Sequence, residues 1–155
     1  MEPAKLLGVL LEARGARIAV AESLTAGLLQ AAVASVSGAS AYFAGGLTAY
    51  TLEQKVRQLG VDREHAASVG CVSEVVAQQM AVGVAERFQV SVAAATTGFA
   101  EPWGEVVVPH AHFAVWIDGA VSTGRLDCPG LDRRGVQHAV VDAVIRTINE
   151  RLREA

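Results

Sequence analysis

No charged residue occurs between Glu22 and Glu53, and this gap constrains the chain more than any other feature. An uncharged span of that length either crosses a bilayer or lies buried inside a domain. Ser35, Ser37, Gly38, Ser40, Gly45 and Gly46 interrupt it. They do so before the roughly 20 continuous apolar residues of a membrane-spanning helix can accumulate. The gap therefore reads as one buried helix, a loop and one buried strand, and no membrane partner is expected.

Composition supports burial. The chain has 155 residues, of which 52% are apolar, enough to build a core for one domain. Sixteen acidic and 13 basic side chains give a net charge of −3. That leaves no excess of positive charge to release counterions from a nucleic-acid backbone, so no nucleic-acid partner is expected. Cys71 and Cys128 are too few and too far apart for a disulfide framework or a CxxC metal site. The first apolar run ends in Arg14, not in a small-residue cleavage site, so it does not read as a secretory signal. A reduced, cytoplasmic setting is the expectation.

There is no fixed-period repeat and no linker-like tract, which predicts a single domain. Leu6, Leu7, Leu10 and Leu11 sit at helical spacing between Lys5 and Arg14, with Gly15 as the stop. A strand is predicted at Ile18 to Ala21, a small-residue helix at Leu24 to Val36, a strand at Gly46 to Thr51 and a helix at Leu52 to Leu59. Ser73 reads as the cap of a helix carrying Val76, Met80, Val84 and Phe88 on one stripe. A further buried strand is predicted at Val90 to Ala95. Asp118-Gly119 is a hairpin signal between strands at Ala111 to Ile117 and Ala120 to Leu126. The last helix is predicted from about Asp132 to Arg153.

Strands alternating with helices require parallel crossovers, and the hairpin adds an antiparallel edge. The expected fold is α/β, a three-layer α/β/α domain with a mixed, mostly parallel sheet. Ligands collect at the carboxyl ends of strands in such sheets. Two segments fall there: Glu22 to Gly27, and Thr96 to Pro102.

Ser23 stands at a strand-to-helix junction, where a hydroxyl serves either as an N-cap or as a nucleophile. Amides near Thr25 and Ala26 would then be placed to hold an oxyanion or a phosphate. Lys5 and Lys55 are the only lysines among the 13 basic residues. Unlike arginine, a buried lysine can lose its proton and act as a base; on an exposed helix the same residue is simply solvated. Tyr50, near a strand end, reads as a packed aromatic or a proton carrier. His110 and His112 alternate along a strand but have no third ligand at a matching spacing, so no metal is expected.

Five motifs stand in register along the chain. They are Glu22-Ser23-x-Thr25-x-Gly27; Gly45-Gly46 with Tyr50 and Lys55; Leu59-Gly60-Val61; Gly70-x-Val72-Ser73-Glu74 through Gly83; and Thr97-Gly98-x-Ala100-x-Pro102. Their order and spacing resemble the CinA C-terminal domain, a family also known as nicotinamide mononucleotide deamidases. The resemblance runs from about Leu6 to the last helix and looks like the stand-alone form, without the amino-terminal domain of longer members. It implies hydrolysis of the carboxamide of nicotinamide mononucleotide to nicotinate mononucleotide and ammonia. It also implies no metal, no cofactor, a small-molecule nucleotide as partner, and a homo-oligomer. Ser23, Tyr50 and Lys55 match the family's catalytic set. Thr25, Ala26, Gly27, Gly46, Thr97, Gly98 and Arg133 match its substrate-binding set.

The chain departs from the family pattern at several points. Ala26 replaces a glycine, and Thr51 and Leu52 replace serine and asparagine. Glu101-Pro102-Trp103-Gly104-Glu105 replaces a glycine-rich run, and Gln137 stands where a second arginine is common. A carboxylate and an indole in a substrate-facing loop would repel phosphate or close the pocket. Two alternatives to the deamidase follow: a non-catalytic nucleotide-binding or assembly protein, and an amidase for a different small amide.

Overall fold

In the computed structural model, which describes residues 1–155, the strand Ile18–Glu22 (β1) is buried along its whole length. Ile18 and Val20 face one core while Ala19 and Ala21 face another, as the two-residue period of a strand requires. The strand Val92–Phe99 (β3) repeats the pattern, with Val92 and Ala94 on one side and Ala93 and Ala95 on the other. Strands apolar on both faces belong in the middle of a covered sheet. There they lie, in a five-stranded sheet of order β2-β1-β3-β4-β5. Phe43–Thr48 forms β2, His110–Ile117 β4 and Ala120–Asp127 β5. β1 pairs in parallel with β2 and β3, and β4 runs antiparallel to β3 and β5.

Helices cover both faces, giving the three-layer α/β/α domain anticipated from the sequence. One layer holds Pro3–Arg14 (α1), Leu28–Ala34 (α2) and Arg133–Glu154 (α6). Leu7, Leu11, Leu29, Val140, Val144 and Ile148 from these helices join Ile18 and Val20 in one core. The opposite layer holds Leu52–Leu59 (α3), Arg63–Ser68 (α4) and Glu74–Phe88 (α5). Val76, Met80 and Val84 of α5 meet the alanines of β1 and β3, whose small side chains let that helix lie close to the sheet. No helix is long and apolar enough to cross a membrane.

Local signals account for several boundaries. α3 spans the expected residues: the Thr51 hydroxyl accepts from Gln54 N at 3.3 Å, and Gly60 closes the helix at φ +69°. Ser73 caps α5 by accepting from Val76 N at 3.0 Å. Asp132 does the same for α6 through Gly135 N at 2.8 Å. Asp118 and Gly119 both take positive φ, 49° and 92°, as a type I′ hairpin turn demands.

Other boundaries differ from expectation. α2 starts at Leu28, not Leu24, because Ala26 and Gly27 adopt left-handed φ values of 48° and 101°. Residues 24–27 consequently form a turn, and Ser23 is not the cap of α2. β2 begins at Phe43 instead of Gly46. β3 continues through Thr96-Thr97-Gly98-Phe99, which the sequence suggests as a loop. Pairing with residues 110–113 of β4 overrides the turn preference of those residues. Gly98 belongs in that ladder because a Cβ there would lie 2.6 Å from the His110 carbonyl oxygen. α4 is absent from the sequence reading. Its six residues are too few to show a helical period, and its start is set by the Asp62 side chain accepting from Glu64 N.

Candidate active site

The carboxyl ends of β2, β1 and β3 lie side by side, and the segments leaving them line a cleft of about 230 Å³. Ser23 and Leu24 follow β1, Tyr50 follows β2, and Gly98 and Phe99 end β3. The rim is built by Glu101 and Trp103 from the next loop and by Arg133 at the start of α6.

The floor joins one hydroxyl to one amine. Lys55 Nζ lies 2.8 Å from Ser23 Oγ, and it donates to the carbonyls of Ala49 at 2.9 Å and Tyr50 at 3.0 Å. Lys55 is 1% exposed and Ser23 6%. Lys55 and Leu59 form the buried face of α3, so the helix aims its only lysine inward, one turn from a core leucine. Burial holds the Lys55 pKa below the ordinary lysine value, with a smaller opposing pull from the Cys71 thiol. A neutral amine has two N–H bonds and one lone pair. As an ammonium Lys55 donates to all three oxygens; as a neutral amine it would keep its two N–H groups on the carbonyls and turn its lone pair to Ser23.

A surrounding shell holds the hydroxyl in place. Thr96 Oγ1 lies 2.8 Å from Thr25 Oγ1 and accepts from the Ser23 backbone N–H at 3.4 Å. Glu22, also fully buried, accepts from Leu29 N at 2.7 Å, Gln30 N at 3.1 Å and Gln30 Nε2 at 2.9 Å. Its charge is spent on the amino end of α2, where amides lack helical partners. Across the cleft, the Thr97 hydroxyl donates to the Cys71 carbonyl at 2.6 Å. That bond braces a turn in which Cys71 takes a left-handed φ of 64°, a conformation costly for a residue with a Cβ.

The residues singled out in the sequence divide into two groups. Ser23, Tyr50, Lys55, Thr97, Gly98 and Arg133 line the cleft. Thr25, Ala26, Gly27 and Gly46 do not. Thr25 supports Ser23 through Thr96, and the Ala26 N–H is occupied by the Ser23 carbonyl at 3.1 Å. Ala26 is therefore corrected as an oxyanion donor, whereas the Leu24 and Thr25 N–H groups have no partner in the protein. Gly46 serves packing instead: a Cβ there would sit 2.7 Å from the Val20 carbonyl oxygen. The Tyr50 hydroxyl accepts from Arg133 Nη2 at 2.6 Å, so Tyr50 meets Lys55 through its carbonyl and a relay through its ring is not needed. Sequence reasoning missed Thr96, the Ala49 carbonyl and the Leu24 amide. Only Thr96 had a visible signal, as a hydroxyl beside Thr97 at a strand end.

The chain has known relatives. The family model for the CinA C-terminal domain matches residues 2–152. The chain belongs to the CinA C-terminal domain family. A Clostridium acetobutylicum protein named as competence-damage inducible is 37% identical over 150 residues, covering 95% of this chain and 36% of that protein. A CinA-like protein of Mycobacterium avium is 46% identical over 116 residues, covering 73% and 27%. The chain thus spans about a third of the length of these curated relatives, or less. A CinA superfamily crystal structure from Klebsiella pneumoniae superposes with a TM-score of 0.92 at 28% identity, covering all of both chains. A competence/damage inducible protein from Agrobacterium tumefaciens superposes at 0.87 with 28% identity, covering 97% and 95%.

In this CinA C-terminal domain the rim holds a cation, a carboxylate and an indole. Arg133 donates from Nη1 to Glu101 Oε1 at 3.0 Å. Gln137, one turn along α6, donates to the Leu24 carbonyl at 2.9 Å, tying α6 to the turn after Ser23. Trp103 is 74% exposed at the mouth. It is held in a narrow loop by reciprocal backbone bonds with Val106 of 3.1 and 2.8 Å.

Proposed function

We propose that the chain is an amidohydrolase that deamidates nicotinamide mononucleotide to nicotinate mononucleotide and ammonia. Ser23 is the nucleophile and Lys55 the base. The observation that carries this reading is the 2.8 Å approach of Lys55 Nζ to Ser23 Oγ on a buried floor. CinA membership supports the same chemistry.

Lys55, whose pKa burial lowers, takes the Ser23 proton in its neutral form as Oγ bonds to the carboxamide carbon. The free N–H of Leu24, on the cleft lining, receives the oxyanion. When the tetrahedral intermediate collapses, the carbon–nitrogen bond breaks and the Lys55 ammonium returns the proton to the departing amine, releasing ammonia. Water, deprotonated by the regenerated amine, then cleaves the acyl–Ser23 ester. Arg133 is the cation available to an anionic substituent at the mouth. The scheme needs no metal or cofactor, since nucleophile and base are both side chains. The working form is read as a cytoplasmic homo-oligomer.

The test is ammonia release from nicotinamide mononucleotide by the purified protein beside its Ser23→Ala and Lys55→Ala variants. Turnover by the wild type that survives Ser23→Ala would refute the nucleophile assignment. A second reading, a nucleotide-binding protein without turnover, is favoured by Glu101 already engaging Arg133. Saturable binding of the nucleotide with no ammonia would select it. An amidase for another small amide is separated by comparing carboxamides with and without phosphate.

A further inference from the structure

Two basic side chains line the cleft, Lys55 on the floor and Arg133 at the mouth, and Glu101 is the carboxylate beside Arg133. Lys55 is committed to Ser23 and two carbonyls. An anionic group entering the cleft therefore has Arg133 as its counterion. Both terminal nitrogens of that guanidinium are already engaged, Nη1 by Glu101 at 3.0 Å and Nη2 by the Tyr50 hydroxyl at 2.6 Å. The Glu101 carboxylate occupies the position on the guanidinium fork that a phosphate oxygen would take.

We propose that Glu101 sets the charge selectivity of the cleft, lowering its preference for phosphorylated over unphosphorylated carboxamides below what Arg133 alone would give. The inference rests on the reading of the cleft as a pyridine-nucleotide amidase, and it deepens that reading by naming the rim residue that limits how strongly phosphate is favoured. A phosphomonoester carries about −1.5 to −2 charges near neutral pH. Against Arg133 alone it meets a net positive charge. Against the Arg133–Glu101 pair it meets none, and it shares the guanidinium with a carboxylate that already holds one of its N–H groups. The backbone limits how far Glu101 can retreat. Pro102 fixes the next φ, and the Trp103–Val106 bonds clamp the loop beyond it. Arg133 and Glu101 side chains are 44% and 58% exposed, so the effect is screened by salt and moderate in size.

The test compares wild type with Glu101→Gln, an isosteric change at an exposed site. Substrates are nicotinamide mononucleotide and nicotinamide riboside, at low and at high salt. The ratio of kcat/KM for the phosphorylated over the unphosphorylated amide is expected to rise about two- to fivefold in Glu101→Gln. The change should lie in KM and shrink at high salt. In an Arg133→Gln background the same substitution should produce no such rise. A parallel shift for both substrates, or an unchanged ratio, overturns the proposal while leaving the amidase reading intact. Calorimetric titration with nicotinate mononucleotide and nicotinate riboside supplies the arm that needs no turnover. If neither amide is hydrolysed yet Glu101→Gln selectively tightens the phosphorylated ligand, the amidase reading fails and the role of Glu101 stands. Absence of phosphorylated-ligand binding to both proteins overturns it.

Discussion

The floor and the rim line one cleft and are very different in physics. Ser23 and Lys55 are buried at the bottom of the cleft, where water competes little for the bond between them. Tyr50, Glu101, Trp103 and Arg133 stand half in solvent, where water competes for every contact. Burial makes the floor unforgiving and chemically potent, since a desolvated amine changes its proton affinity. Exposure makes the rim adjustable, since an ion pair there is worth little. A change at the rim is therefore expected to tune the cleft, while a change on the floor is expected to abolish its chemistry.

The sharpest way to break this contrast is at Ser23. Ser23→Ala should reduce ammonia release to background, a loss larger than that of any other single change in the cleft, because no covalent intermediate can form. Lys55→Arg comes next, with a loss of about 10²–10⁴ in kcat, as a guanidinium cannot surrender a proton. Circular dichroism should report folded protein in both cases, so that the loss is chemical.

Proton titration probes the same floor. Activity should rise with pH as Lys55 loses its proton and level off below the ordinary lysine range, because burial lowers its pKa. The stability consequence has a definite sign. Between the lowered folded value and the ordinary unfolded one, the unfolded chain binds more protons, so raising pH favours the fold. Wild type should thus gain stability relative to Lys55→Met as pH climbs through that window, measured by urea unfolding at successive pH values. A pH-independent difference would mean that Lys55 titrates alike in both states.

Two smaller effects sharpen the comparison. Gly98→Ala drives a methyl toward the β4 backbone and should cost about 1–3 kcal/mol of unfolding free energy. Gly104→Ala in the rim loop meets nothing within 4 Å. It should cost only the left-handed backbone penalty, about 1 kcal/mol. At the low end, Tyr50→Phe removes one exposed hydrogen bond to Arg133 and should change kcat/KM by about two- to tenfold.

Much of the scaffold was legible because its signals are local. Thr51 and Gly60 bracket α3, Ser73 starts α5, and Asp118-Gly119 turns the hairpin; each acts within a few residues of itself. The late start of α2 was hidden because Ala26 adopts a glycine-like φ that its side chain does not advertise. The extension of β3 was hidden because Thr97 and Gly98 read as turn residues until β4 pairs with them. At the site, Ser23 and Lys55 were visible through residue type and resemblance. The acceptors that position the amine were not, since the carbonyls of Ala49 and Tyr50 are common to every residue. The Arg133–Glu101 contact joins positions 32 residues apart and leaves no trace in local pattern.

The reactive hydroxyl and the two carbonyls that steady the amine hang from neighbouring strands whose alignment pairs Glu22 with Thr48. A slip of that pairing by a single position would turn every side chain of one strand to the opposite face and carry the carbonyls away from the serine. Such a molecule would retain its helices and much of its compactness yet be silent in an assay. Turnover in this protein would then be a gauge of strand registry, and any process that monitors catalysis would also be inspecting the correctness of folding.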